Sequence, residues 1–229
     1  MRPVLLVSLL ALSAWVGITP AAGAVAGCPA GGTPPPVGAA QRQVANLDGG
    51  DGPSTLWVGQ FRDGDGHSNR VVGVSTASGA NSDVQISSAS PMPLTALAID
   101  AQDNGGNQII VSDGRSARLY TFAACRLQAV VDREGAPFVF DLQNLRDHGT
   151  GVGCSDLGNG RRLVGLQALQ TNTGPWTVRR TEIDLNGTVA TIGPSDTVTA
   201  TSAQDPAVTS AQTISCGDHT IGQDGVQQP

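Results

Sequence analysis

The chain contains no lysine and only 2 glutamates, against 17 aspartates and 13 arginines. With a net charge of −6 and no basic run, it lacks the electrostatic footprint of a nucleic-acid or anionic-membrane binder. Aromatic residues are 3% of the sequence, too few for a base-stacking platform. Without lysine there is no phosphate-cradling Gly-rich loop of the usual kind. There is no Cys-x-x-Cys pair, so a structural zinc site is not expected. A Gly-x-Ser-x-Gly elbow is also missing, and nothing orders the Ser, His and Asp residues into a hydrolytic triad. Long apolar runs are missing too, with one exception at the N-terminus.

That exception, Val4–Ile18, spans 15 residues after Met1-Arg2 and is followed by Ala21-Ala22-Gly23-Ala24. It is short of the roughly 20 residues that cross a bilayer and fits the apolar core of an export leader cleaved after Ala24. No membrane span is therefore expected. A second cut is spelled by Val25-Ala26-Gly27-Cys28, which has the form of a lipobox and would put an acylated Cys28 at the new N-terminus. Residues 1–27 are expected to form the leader, 28–42 a Pro/Gly-rich extended tether, and 43–229 a folded domain. The protein is expected to be secreted or cell-envelope associated.

In an exported chain four cysteines read first as disulfides. Cys125 follows a strand and Cys154 precedes the next acidic loop, so these two are expected to pair. Cys28 is then either lipidated or bonded to Cys216.

Asp, Gly, Pro, Thr, Ser and Val are plentiful and favour turns and strands over helices. Apolar runs alternate with Asp-Gly or Asn-Gly turns. Leu56–Phe61 returns through Asp63–Gly66 to Arg70–Val74. Ile109–Val111 returns through Asp113-Gly114 to Ala117–Phe122, and Trp176–Ile183 approaches Asn186-Gly187. Both turn residues of such pairs tolerate positive φ, which makes them strong hairpin signals. The spelling Asn186-Gly187-Thr188 is a glycosylation sequon but reads as a turn. The fold class expected is all-β, an antiparallel meander.

The hairpins recur. Acidic, Gly-rich loops at Asp48, Asp100 and Asp156, and a stub at Cys216-Gly217-Asp218, stand 52, 56 and 62 residues apart. The first three are each followed by a Leu/Ile/Val strand. A period near 55 suits four-stranded propeller blades. The loops resemble the Asp-x-Asp-Gly-Asp-Gly-x-x-Asp-Leu/Ile-Val-Val pattern of FG-GAP/VCBS-type β-propeller repeats of secreted bacterial proteins. The resemblance covers about 45–220 in three repeats and a stub. It implies a small or partial β-propeller of about four blades.

The resemblance also implies calcium in the blade loops. The best match places Asp100, Gln102, Asn104 and Gln108 at ligand positions. That set offers one carboxylate where calcium wants several, so the site reads as vestigial and the loops as Asx turns. Asp63-Gly64-Asp65-Gly66-His67 is the densest acidic spot and reads as an exposed hairpin tip. His219, beside Asp218, implies no chemistry by itself. No catalytic constellation emerges. The functional expectation is a non-enzymatic binding module for a protein or glycan ligand at the cell surface. The alternatives are a glycan-active hydrolase or lyase using loop carboxylates, and a purely structural envelope protein.

Overall fold

The computed structural model describes residues 27–142, 148–170 and 174–229. The expected leader lies outside these except for Gly27. The chain forms three antiparallel meanders in succession. Sheet I comprises β1 (Ala40–Val44), β2 (Ser54–Arg62), β3 (Ser68–Ser75) and β4 (Asn81–Ile86). Sheet II comprises β5 (Thr95–Ile99), β6 (Gln108–Ser112), β7 (Ser116–Ala123) and β8 (Arg126–Ala129), and β9 (Val139–Asp141) also pairs with β7. Sheet III comprises β10 (His148–Asp156), β11 (Arg161–Gln170), β12 (Trp176–Asn186) and β13 (Val189–Ala200). The expected hairpins form where the turn signals stand. Asn186 pairs with Val189 around Gly187-Thr188, with Gly187 at φ 61°.

The period-two alternation of each strand sends its side chains to opposite faces, and the sheets stack on those faces. Ala96, Ile109, Val111, Tyr120 and Leu127 of sheet II pack on Leu56, Val58, Val72 and Val74 of sheet I. From its other face, Leu97, Ile99, Ile110, Ala117 and Leu119 pack on Val152, Leu163 and Ile183 of sheet III. Sheet II is thus buried on both sides. This is why Ile109-Ile110-Val111 is an unbroken apolar run, and why all five residues of β6 are buried.

The outer faces of the stack are covered by the two ends of the domain. Gly31 bridges Ala80, and the Asn81 N–H donates to the Gly31 carbonyl. Pro36 then meets Gly59 before the chain enters β1. The stretch expected to be a tether over 28–42 is therefore a strap across sheet I. Trp57, on that face, is 1% exposed. On sheet III the cover is α1 (Pro206–Ser210), capped by Asp205 with Pro206 in its first turn. Val208 and Ala211 pack on Val164, Ala168, Trp176 and Val178. Gly151 permits this approach, since a β-carbon there would lie 2.9 Å from the Ala211 backbone carbon.

The remaining tail runs along the first strand of every sheet. Ile214 bridges Val152 of β10. The Cys216-Gly217-Asp218 stub starts no further four-stranded sheet among the described residues: it lies at the turn of a small two-stranded sheet, β14 (Ser215–Cys216) with β15 (His219–Thr220). After α2 (Ile221–Asp224), β16 (Val226–Gln227) pairs with β5, and Arg42 of β1 donates to the Gln223 carbonyl and the Asp224 carboxylate.

The disulfides are Cys28–Cys125 and Cys154–Cys216, which corrects both expected pairings. Sequence proximity had suggested Cys125–Cys154. The meander instead holds Cys125 at the β7–β8 turn beside the start of the strap, and Cys154 on β10 beside the tail. Ala124 and Cys125 occupy φ 49° and 60°, positions that Asn-Gly would fill more comfortably.

Candidate functional site

The three acidic loops occupy equivalent places, between the first and second strand of each sheet, and their aspartates cap their own backbones. Asp156 Oδ1 accepts the N–H groups of Gly158 and Gly160. Asp48 accepts from the Gly50 N–H, and also from the Cys28 N–H and the Ser78 hydroxyl. Desolvation pushes the Asp48 carboxyl up, but these bonds outweigh it and hold it below its ordinary value.

The Asp100 loop gathers all four expected calcium ligands, with their oxygens turned to other work. Asp100 Oδ1 accepts from Gln102 and Asn104, and Oδ2 accepts from Gly105 at 2.7 Å. Gln102 Oε1 accepts from the Asn104 amide, Asn104 Oδ1 from the Gly106 N–H, and Gln108 Oε1 from the Ala101 N–H. Each oxygen faces the positive end of an N–H dipole, where a cation is repelled. With one carboxylate among them, these residues do not fit a calcium ion.

Asp63, Asp65 and His67 converge within 4.8 Å at the exposed β2–β3 tip. The Asn69 amide and the N–H groups of His67 and Asp65 hold the Asp63 carboxyl below its ordinary value. Asp63 is a turn cap. His219 lies 3.6 Å from Asp224 and not against Asp218, and it is largely exposed. The side chain of His148 lies outside the described residues.

The concave feature of interest lies away from these loops, where sheets II and III splay apart. β9 forms one wall, with Phe138 and Phe140 edge to face at 5.2 Å. Phe140 rests on Gly165 of β11, its ring 3.8 Å from where a β-carbon would stand, an ordinary van der Waals distance. Gln167, Arg179, Thr181 and Ile192 of sheet III face it across a cavity of about 360 Å³. Val139 and Ile192 are 48% and 67% exposed, so two large apolar side chains meet solvent in one cleft. Arg180, on the opposite face of β12, is bound by Asp196; Arg179 pairs with no carboxylate among the described residues. Apolar walls with a few convergent polar groups are the chemistry of a ligand site.

The sequence pointed at the acidic loops and missed the cleft. Its residues are scattered over 138–192 and share no motif. The one local signal is Ile192, an isoleucine between Thr191 and Gly193-Pro194 on a strand whose proline marks it as an edge. No protein family, no curated protein and no solved structure matches this chain.

Proposed function

We propose that the chain acts outside the cytoplasm as a non-enzymatic binding module, taking a protein or glycan ligand in the cleft between sheets II and III. The observation that carries this reading is the cleft itself: Phe138, Val139 and Ile192 offer apolar contact, and Arg179, Gln167 and Thr181 offer hydrogen bonds around it. Two further features support export. The N-terminal segment has the form of a leader, and all four cysteines are paired, which suits an oxidising compartment. Three successive four-stranded meanders, each with an acidic loop after its first strand, support kinship with FG-GAP/VCBS-type blades. On this reading the module is a short, open run of blades whose inner edges are occupied by the C-terminal tail.

A glycosidase needs two carboxylates facing one substrate bond. Among the described residues lining the cleft, Asp141 is the one carboxylate, so binding is favoured over hydrolysis.

The test is titration of the disulfide-intact protein with envelope polysaccharide fragments and envelope proteins, using Ile192→Asp and Phe138→Ala as probes. The reading expects each substitution to weaken binding at least tenfold, with folding intact by circular dichroism. Binding unchanged in both variants would place the ligand elsewhere, and hydrolysis of the fragments would return the enzyme reading.

A further inference from the structure

The lipobox spelling Val25-Ala26-Gly27-Cys28 assigns two chemical roles, a small residue before the cut and a cysteine whose sulfur becomes a lipid thioether. Both residues have other work in the fold. The Cys28 sulfur is bonded to Cys125, and the residue is 6% exposed. One sulfur cannot carry a disulfide and a thioether together. The Cys28 N–H donates to Asp48 at 3.2 Å, seating the residue on the first acidic loop. Gly27 is packed as well: a β-carbon there would lie 2.9 Å from Asp48 Oδ2 and 3.1 Å from Ser78 Cβ. A cut before Cys28 would remove a residue that fits its slot because it has no side chain. The small residue and the cysteine are each accounted for by packing.

We infer that Cys28 is a structural disulfide partner and not a lipid attachment site, so the mature chain begins upstream of Gly27 and is released without an anchor through this residue. The inference rests on the export reading and sharpens it, because it chooses between two exported forms. Its chemistry balances simply. The thiols of Cys28 and Cys125 lose two protons and two electrons to the thiol-oxidising system of the export compartment, and the S–S bond forms. Lipidation of Cys28 would instead leave Cys125 as an unpaired thiol at a two-residue turn.

The experiment is expression of the full chain from Met1 in an export-competent, lipoprotein-processing bacterial host, followed by intact mass and non-reducing peptide mapping of each cell fraction. The expected species is Val25–Pro229, lighter by the four hydrogens of two disulfides, outside the membrane fraction, with Cys28 and Cys125 in one cross-linked peptide. A Cys28→Ser variant should fractionate as the parent does, expose one titratable thiol per chain at Cys125, and melt at lower temperature. A processed chain with acylated Cys28 in the membrane fraction, lost from the membrane on Cys28→Ser, overturns the inference and leaves export standing. An unprocessed chain with its leader intact and all thiols free inside the cell overturns the export reading itself.

Discussion

Sheet II buries both of its faces against other sheets, whereas sheets I and III each bury one face against a terminal segment of the same chain. The difference shows in the covalent structure. A sheet-on-sheet contact holds itself, because Ile109, Ile110, Leu97 and Leu119 are fully buried side chains contributing about 1.5–3 kcal/mol each. A short strap or a five-residue helix removes far less apolar surface from water, and its ordering entropy opposes it residue by residue. Each of these covers is accordingly fastened by a disulfide, Cys28–Cys125 for the strap and Cys154–Cys216 for the tail that follows α1.

Cutting the fasteners is the strongest way to break this comparison. Their sequence separations are 97 and 62 residues, for which the chain-entropy relation gives about 4–5 kcal/mol each. Cys28→Ser with Cys125→Ser, or Cys154→Ser with Cys216→Ser, should each lower the melting temperature by roughly 10 °C or more. Hydrogen exchange should rise first in the strap or the tail and last in β6. Uniform exchange across all three sheets would show that the covers are not separately held.

A smaller perturbation tests the cover on sheet I from beneath. Trp57 lies across Gly73, and its indole N–H donates to the Ser75 hydroxyl at 3.2 Å. A β-carbon on Gly73 would collide with the ring. Gly73→Ala should therefore lift Trp57 against the strap, at a cost of about 1–3 kcal/mol, and shift tryptophan emission to the red. An unshifted spectrum with parental stability would mean that the strap yields freely.

The hairpins and their acidic turns were legible because a turn is local chemistry: Asp113-Gly114 and Asn186-Gly187 mark each chain reversal to within a residue, with the positive φ falling on the glycine. The two-sided burial of sheet II has a local sign in the unbroken run Ile109-Ile110-Val111, which the sequence alone marks only as one strand of a hairpin. What joins distant segments was not. The pairing of Cys28 with Cys125 depends on how sheets I and II meet, and a Pro-rich strap has the composition of a free tether. The cleft depends on Phe140 crossing to Gly165, which no periodicity announces.

Sheet III carries a different weakness under its cover. Glu182 is 2% exposed; one of its oxygens lies 3.5 Å from Arg162 Nε, and the other has no hydrogen-bond partner among the described residues. A half-satisfied buried carboxylate carries a desolvation cost that its single long ion pair offsets poorly. Arg162 is partly solvent-exposed and keeps its hydration if the charge opposite is removed. Glu182→Gln should raise stability by about 1 kcal/mol, seen as a later midpoint in urea at unchanged slope. A destabilisation of that size would show instead that the ion pair anchors this face.

The smallest effect expected belongs to Asp83, on the outer face of sheet I directly across from Gly73. Burial alone pushes its carboxyl above its ordinary value near 3.8, whereas hydrogen bonds hold those of Asp48 and Asp63 below it despite desolvation. The signs differ accordingly. A raised carboxyl contributes stability in acid that is lost as pH rises through its folded-state value; a lowered one contributes stability at neutral pH that is lost as pH falls through its folded-state value. At pH 7 ionised Asp83 is thus a slight burden. Asp83→Asn should raise stability by up to about 0.5 kcal/mol there, with the gain vanishing below pH 4 as the native carboxyl becomes protonated. Urea melts of both proteins across pH 3–7 measure the difference. A loss of stability at pH 7 on Asp83→Asn would mean that the charge supports the strap, and that sheet I holds its cover by more than Trp57 and the Cys28–Cys125 bond.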